Sequence, residues 1–435
     1  INVYEVEGVY DPQYLSIDGV LFETAESGST TDVLRLASFP MGRTGAYTVP
    51  EGVQVLPARI FAATRITSVT LPASLMSIEQ TAFYNCDYLT EVNFSATPAG
   101  SQSVALTIRS RAFQNCESLR EITLPQRLSS FGSDGEDDET VNDAASVFTG
   151  CDALQYIYIE NNGTTASGLS AKNGLLCDST GETILYAPLG RSGELTIPDG
   201  VVAIGESAFE GRDGLTSVIF PYVVTTIGVD AFRNCEGLRS ITFVGLENSP
   251  WETSIGQSAF YGCSALREIV FTANSNVVSI GNTAFAYCDQ LTTLTLPASV
   301  REVGQQAFRD CARLRELTLV GNDDGLTFGD SVFQNCVVLN TINFSASVGE
   351  FAFHSVFDGC DNLVSINVDP ANQTYSSDDG ILFNKDRTSL LFYSRLKGNY
   401  EIPESVKTIG ASAFADNELI TSLTIGANVT MIEAG

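Results

Sequence analysis

The stretch CDQLTTLTLPASVREVGQQAF, from Cys288 to Phe308, decides the fold of this chain. Its closing Ala-Phe, followed three residues later by Cys311, recurs in close variants. The twelve copies have their Phe at Phe61, Phe83, Phe113, Phe148, Phe209, Phe232, Phe260, Phe285, Phe308, Phe333, Phe357 and Phe414. Six of the eleven spacings between successive Phe lie between 22 and 25 residues. A fixed period of this length is typical of a solenoid, whose coils bury their apolar sides only by stacking.

The apolar positions around each Phe predict the shape of one coil. Leu stands six residues after the Phe in ten copies, and apolar pairs such as Ile122 and Leu124 follow at nine and eleven. That alternation places both side chains of a pair on one face of a short strand. An apolar residue five before the Phe is followed by Gly in seven copies, where we expect a corner that needs backbone freedom. The predicted core columns include Phe83, Cys86, Phe113, Cys116, Phe232, Cys235, Phe260, Cys263, Phe285, Cys288, Phe308, Cys311, Phe333 and Cys336.

These residues resemble the BspA-like leucine-rich repeat family, whose coil reads approximately C-x-x-L-x-x-I-x-L-P-x-x-V-x-x-I-G-x-x-A-F. The resemblance implies a leucine-rich repeat solenoid, a horseshoe or right-handed superhelix. Such a fold is rich in β-structure, with short helical or 3-10 turns and a parallel β-sheet on one face. Members of the family are chiefly bacterial surface or secreted proteins linked to adhesion. The resemblance therefore implies an extracytoplasmic location, at the cell surface or secreted.

A second unit interrupts the repeat three times, as LSIDGVLF at Leu15, LSAKNGLLC at Leu169 and YSSDDGILF at Tyr375. Its Asp-Gly or Asn-Gly step between apolar segments predicts a β-hairpin. Each hairpin is followed by a Pro that lies 11 residues before the next Phe, at Pro50, Pro198 and Pro403. Ordinary coils have the same distance, for example from Pro297 to Phe308. We therefore expect the hairpins to be enlarged coils in register with the stack.

This regular spacing predicts a single solenoid domain over 1–435. We expect hairpin-bearing units at about 9–50, 160–198 and 369–403, and regular coils at about 51–159, 199–368 and 404–435. Val429 and Ile432 begin a coil whose Phe would fall beyond Gly435. Because solenoid ends need caps or further repeats, we expect the chain to be truncated at its C-terminus.

The charge of the chain excludes some partners. With 23 basic and 52 acidic residues the formal net charge is −29, which would repel nucleic acid and anionic membranes. No segment approaches the run of about 20 apolar residues that spans a bilayer, so we expect no direct membrane insertion.

Nine of the ten cysteines stand three residues after a repeat Phe, and the tenth is Cys177. Cysteines at one position of successive coils point in parallel, which does not suit a disulfide. The chain has no C-x-x-C pair and no histidine beside a cysteine, as a zinc site usually has. We predict a column of buried, reduced thiols that act as small apolar side chains.

The residue inventory argues against an enzyme. His354 is the only histidine, and no phosphate-binding glycine loop is present. The sequence thus predicts a non-catalytic protein with no cofactor and no metal.

Three features outside the core could bind a partner. The first is the outward row of the predicted sheet, at eight and ten residues after each Phe. The candidate binding residues in this row are Glu121, Thr123, Tyr156, Tyr158, Glu268, Thr293, Thr295, Glu316 and Thr318. The second is Trp251, the only tryptophan, which could anchor a partner or pack down on the coil beneath. The third is the acidic segment 133–143, which is expected to be a solvated loop rather than a calcium site, since it lacks EF-hand ligand spacing.

We therefore predict a non-catalytic surface or secreted protein that recognises an extracellular or surface protein partner, with adhesion implied by the resemblance. One alternative is a glycan-binding module that uses Tyr156, Tyr158 or Trp251 as a stacking platform. The other is a structural spacer that presents another domain.

Overall fold

The protein is described by a computed structural model, which covers residues 14–24, 34–97, 103–132, 143–321, 325–351, 353–393, 398–415, 417 and 419–434. The chain divides into two compact units, Ile1–Arg191 and Ser192–Gly435. Each unit is a stack of β-strand coils, as the repeat predicts. The single-domain organisation of the whole chain stays a prediction.

The first unit contains fifteen described strands. They are β1 (Tyr14–Ile17), β2 (Val20–Thr24), β3 (Leu34–Ser38), β4 (Thr44–Thr48), β5 (Val53–Leu56), β6 (Arg65–Leu71), β7 (Ser77–Ile78), β8 (Glu91–Phe94), β9 (Leu106–Ile108), β10 (Glu121–Leu124), β11 (Leu128–Phe131), β12 (Tyr156–Ile159), β13 (Ser170–Lys172), β14 (Leu175–Cys177) and β15 (Thr183–Tyr186). The predicted short helical turns are present as α1 (Ala144–Val147) and a 3-10 turn at Glu160–Asn162.

The second unit continues the same pattern. Its described strands are β16 (Gly193–Thr196), β17 (Ala203–Ile204), β18 (Leu215–Phe220), β19 (Thr226–Ile227), β20 (Ser240–Phe243), β21 (Thr253–Ile255), β22 (Glu268–Phe271), β23 (Val277–Ile280), β24 (Thr293–Leu296), β25 (Glu302–Val303), β26 (Glu316–Gly321), β27 (Thr327–Phe328), β28 (Thr341–Ser347), β29 (Ser365–Val368), β30 (Tyr375–Asp378), β31 (Ile381–Asn384), β32 (Ser389–Phe392), β33 (Asn399–Glu401), β34 (Thr408–Ile409), β35 (Ser422–Thr424) and β36 (Met431–Ile432). One helix, α2 (Phe353–Val356), is described here.

Each ordinary coil contributes one strand to each of two parallel sheets. The strand that follows the repeat Phe joins what we call the face sheets: β4-β6-β8 and β10-β12 in the first unit, and β16-β18-β20-β22, β24-β26-β28-β29 and β33-β35 in the second. The short strand that precedes the Phe joins the corner sheets, such as β17-β19-β21-β23-β25-β27. Equivalent positions pair, for example Ile241 with Ile269 in the face sheet and Ile227 with Ile255 in the corner sheet. The repeat therefore fixes the register.

The three predicted hairpins are present. Strands β1 and β2, β13 and β14, and β30 and β31 pair antiparallel. Both residues of the turn have positive φ at Asn173-Gly174 and at Asp379-Gly380, as a tight hairpin turn requires. The turns also cover face strands, because the carbonyl of Gly174 accepts from the Ile157 amide (3.0 Å) and that of Gly380 from the Ile366 amide (3.2 Å). Each of these hairpins thus caps the last strand of a face sheet.

The core consists of columns of identical side chains. Successive repeat Phe rings stack with centroids 4.9 Å apart for Phe61 and Phe83 and 5.0 Å apart for Phe260 and Phe285. These distances match the separation of hydrogen-bonded strands, about 4.7–4.9 Å. The coils can therefore repeat one residue without a clash or a void.

The cysteines form a second column and do more than fill space. All ten lie in described residues, and all are buried and free. In nine of them the thiol donates to the carbonyl of the repeat Phe one coil earlier, at sulfur–oxygen distances from 3.0 to 3.5 Å. Thr64 takes the equivalent position in the first ordinary coil and is 2% exposed. The column is a ladder of weak hydrogen bonds between coils.

The corner glycines act through close approach rather than through a left-handed backbone. A Cβ added at Gly281 would lie 2.6 Å from the Gln257 amide nitrogen, and one at Gly256 would lie 2.7 Å from the Ile227 carbonyl oxygen. The φ angles of both lie outside the left-handed region. The sequence correctly predicts glycine at a corner, but the reason expected, a need for backbone freedom, was wrong. Glycine is required because the next coil passes too closely for a side chain.

Candidate recognition surface

In the first unit, four of the predicted binding residues lie side by side on the face sheet. Strands β10 and β12 pair so that Glu121 stands opposite Tyr156 and Thr123 opposite Tyr158. Glu121, Thr123 and Tyr158 are exposed and Tyr156 is half-buried. The two tyrosine rings are nearly parallel, with centroids 6.1 Å apart and an interplanar angle of 10°. We call these four residues the tyrosine patch.

Neighbouring groups hold the tyrosine patch in place. The guanidinium of Arg191 lies 5.2 Å from the ring centroid of Tyr156, a cation–π distance. The hairpin turn covers Tyr156 so closely that a Cβ at Gly174 would lie 2.5 Å from its ring. Partial burial, and then the nearby carboxylate of Glu121, raise the pKa of Tyr158 above its usual value. The exposed phenol can donate a hydrogen bond to a partner.

In the second unit, the predicted residues form a polar block. Thr293 pairs with Glu316, and Thr295 pairs with Thr318. The amide of Asn343 on the next strand donates to the Glu316 carboxylate (2.8 Å) and to the Thr318 hydroxyl (3.4 Å). Part of this block is thus already hydrogen-bonded along the sheet, which makes it rigid but lowers its capacity for new bonds. Glu268 lies on β22, which belongs to a different face sheet.

Trp251 lies away from the face sheets, in the segment between β20 and β21. Its side chain is 45% exposed, as is that of Leu246, so a large part of the indole faces solvent. The side-chain amide of Asn276 donates to the Trp251 carbonyl at 2.7 Å. The backbone that carries this exposed indole is therefore anchored.

The acidic segment is represented only by its last residue. Residues 133–142 lie outside the described part of the chain. The prediction that the acidic segment is a solvated loop therefore stays a prediction. Asp143 caps α1, because its carboxylate accepts from the Ser146 amide at 3.0 Å.

Among the described residues, open clefts lie at two of the breaks between face sheets. The Glu121 cleft, about 530 Å³, lies between β8 and β10, and its charged lining is Glu91, Glu121 and Glu160. The Ser275 cleft, about 660 Å³, lies between β22 and β24 and includes Glu268, Thr293 and Thr295. Both lie where neighbouring face strands belong to separate sheets. Both volumes fall in the range of ligand sites.

Within the described ranges, no group of three or more His, Cys, Asp or Glu is placed to hold a metal ion. His354 lies in α2, and its side chain is outside the described part of the structure. The described helices α1 and α2 have four residues each, and no helix in the described ranges is long and apolar enough to cross a membrane.

Sequence reasoning missed the residues that line the Ser275 cleft after the strands end, namely Asn274, Ser275 and Ser299. They fall in turns that vary from coil to coil, so no repeat position marks them. It also missed Arg191, whose contact with Tyr156 crosses 35 residues of sequence.

Stacked coils of about two dozen residues, with paired face and corner strands and columns of Leu, Phe and Cys, define a leucine-rich repeat protein. The chain belongs to the family described as BspA type leucine-rich repeat region (6 copies), which matches residues 44–135, 191–277, 253–378 and 387–435. Proteins of this class are generally non-catalytic binding modules. No curated protein matches the chain.

Solved structures with related folds come from several bacteria. A leucine-rich repeat protein from Bacteroides ovatus is 18% identical, with a TM-score of 0.46, and the match covers 97% of this chain and 90% of that one. A leucine rich cell surface protein from Faecalibacterium prausnitzii is also 18% identical, with a TM-score of 0.32 and coverage of 82% and 95%. The leucine-rich repeat protein of T. pallidum is 23% identical, with a TM-score of 0.29 and coverage of 47% and 81%. The assignment to the family rests on the repeat match and not on these likenesses.

Proposed function

We propose that this chain is a non-catalytic recognition protein that binds an extracellular or surface protein partner through its face sheets. Membership of the BspA-type family supports this role, since repeat proteins of this kind use extended sheet surfaces for binding. The same membership supports a cell-surface or secreted location and a part in adhesion.

The observation that carries the proposal is the tyrosine patch. Tyr156 and Tyr158 are stacked on a rigid strand and lie beside the carboxylate of Glu121 and the guanidinium of Arg191. Tyrosine is enriched among the residues that dominate binding energy in protein interfaces, and the buried Arg191 supports the ring of Tyr156 from beneath. The strand pairing fixes the backbone of both tyrosines and the hairpin turn covers the Tyr156 ring, so less conformational entropy is lost when a partner docks.

The test is a screen of the whole chain against an array of extracellular and cell-surface proteins, followed by measurement of Kd for the strongest binder. Tyr158→Ala should weaken binding by about tenfold or more, the range of a central interface residue. Tyr88→Ala is the matched control, because Tyr88 is 53% exposed in the same unit but lies outside the outward row of the face sheet.

Three results would count against the proposal. Binding that Tyr158→Ala leaves unchanged would remove the tyrosine patch from the interface. Turnover of a peptide or glycan by the pure chain would contradict the non-catalytic role. A chain that binds no protein on the array would favour the spacer alternative.

A further inference from the structure

The Ser275 cleft arises from a local break in one sheet. Strand β22 is the last strand of its face sheet and β24 is the first strand of the next, so no ladder of hydrogen bonds joins them. The corner strands of the same coils stay paired, β21 with β23 and β23 with β25. The coils therefore remain stacked while their face strands separate enough to leave a cleft of about 660 Å³.

Residues that carry hydroxyl groups dominate the polar lining of this cleft. They are Thr272, Ser275, Thr293, Thr295 and Ser299. Thr293 and Thr295 are exposed on β24, and the other three follow the ends of β22 and β24. Apolar atoms of Val270, Pro297 and Val320 complete the wall. A lining with many hydroxyls and an apolar floor matches a ligand that carries both hydroxyl groups and C–H faces.

Two of these hydroxyls have no partner inside the protein. The Oγ atoms of Ser275 and Ser299 are buried and make no hydrogen bond, and Ser275 is only 6% exposed. A buried polar group without a partner is unfavourable, and such groups in native structures call for an explanation. Ser275 and Ser299 both line the cleft, and a change of χ1 that exposes either hydroxyl would bring it within reach of a ligand there. Binding would then supply the missing hydrogen bonds.

The charge of the lining narrows the class of ligand. Glu268 is the one charged residue among those that line the Ser275 cleft, whereas the Glu121 cleft has three carboxylates. The Ser275 cleft is therefore suited to an uncharged ligand, and an anionic one would meet the Glu268 carboxylate.

We propose that the Ser275 cleft is a binding site for a neutral saccharide, whose hydroxyls bond Ser275, Ser299, Thr293 and Thr295 and whose C–H face packs on Val270 and Pro297. The site is separate from the tyrosine patch and does not depend on the protein partner proposed above. It also differs from the sequence-based alternative, which placed a glycan on Tyr156, Tyr158 or Trp251.

The unpartnered serines allow a sharp experiment. The whole chain is first screened on a microarray that holds neutral, sialylated and sulfated oligosaccharides, and the strongest neutral glycan is then titrated by calorimetry. Ser275→Ala with Ser299→Ala should leave the free energy of unfolding unchanged or raise it, because the hydroxyls lost have no internal partner. The same double variant should weaken glycan binding by about tenfold or more, as expected for two lost hydrogen bonds.

Ser258→Ala is the matched control. Ser258 is also 6% exposed and lies in the same unit, but its hydroxyl is 2.8 Å from that of Thr283 and does not line the cleft. This variant should lower stability and leave glycan binding unchanged, the reverse of the result expected for the cleft serines. Thr293→Val with Thr295→Val removes two exposed hydroxyls at nearly constant shape and should also weaken binding.

The proposal is overturned if no neutral glycan binds, or if glycan binding is equal in the wild type and both cleft variants. It is also overturned if a peptide competes with the glycan and loses affinity in the same variants, since the cleft would then be a peptide site. Protein binding that depends on Tyr158 is measured separately, so failure here leaves the function proposed for the tyrosine patch untouched.

Discussion

At the scale of single residues, the thiol column is the feature that the sequence only half revealed. The spacing of Cys263 and Cys288 indicates burial, because both follow the repeat Phe by three residues. It does not indicate that each thiol donates to the carbonyl of the preceding coil, since that contact depends on how far successive coils are rotated and offset. Burial raises the pKa of both thiols well above the usual value.

This burial predicts a loss of stability in alkali. Burial also raises the pKa of Cys177 to about 11, while a thiol in the unfolded chain ionises near pH 8.5. Below about pH 8.5 the thiol is protonated in both the folded and the unfolded chain, so its full contribution to the free energy of unfolding is present. Between about pH 8.5 and 11 the unfolded chain binds fewer protons, so the free energy of unfolding falls by about 1.4 kcal/mol per pH unit for each such thiol.

Urea unfolding under reducing conditions at several pH values from neutral to about 10 measures this slope. Cys177→Ala removes one titrating thiol and should make the slope shallower by about 1.4 kcal/mol per pH unit. If the free energy of unfolding has the same pH dependence in the wild type and the variant, Cys177 has the same pKa in the folded and the unfolded chain, and the prediction is wrong.

At the scale of the elements, the stacking of the corner strands depends on glycines, which have no side chain to clash with the neighbouring coil. We predict that Gly281→Ala lowers the free energy of unfolding by about 1–3 kcal/mol, the range for overpacking. The physical reason is that the new Cβ would lie 2.6 Å from the Gln257 amide nitrogen and from the Gly256 carbonyl carbon. The measurement is chemical denaturation followed by circular dichroism.

The control for this change is Gly349→Ala, in the same unit. A Cβ at Gly349 would have no neighbour within 4 Å. A loss of the same size in both variants would mean that glycine is needed for the backbone conformation and not for close packing.

The sequence predicts these elements unequally well. The hairpins follow from Asn173-Gly174 and Asp379-Gly380, because a two-residue turn with positive φ is a local property. The break between β22 and β24 does not follow, since Glu268–Phe271 and Thr293–Leu296 carry the same apolar alternation as strands that do pair. Whether two such strands bond depends on the course of the coil between them. The sequence therefore predicts that Thr293 and Thr295 lie on the face sheet, but it does not predict the cleft beside them.

At the scale of the whole molecule, the prediction that remains open is the single domain. A solenoid whose coils are coupled throughout unfolds in one cooperative step. Trp251 is the only tryptophan, and it lies in the unit Ser192–Gly435. We expect its fluorescence and the far-ultraviolet circular dichroism of the whole chain to give the same midpoint in urea. Two separate unfolding transitions would contradict the single domain. The transition seen by tryptophan fluorescence would then belong to the unit that contains Trp251.

The corner ladder of the second unit runs without interruption from β17 to β27, past the point where the face sheet breaks. The corner strands therefore keep the spacing of the coils, while the face strands present side chains to solvent. This separation has an evolutionary consequence. Substitutions on the face strands can accumulate without loosening the stack, so relatives of this chain should diverge fastest on the face and slowest at the corners. One scaffold could in this way acquire new ligands while its fold is retained.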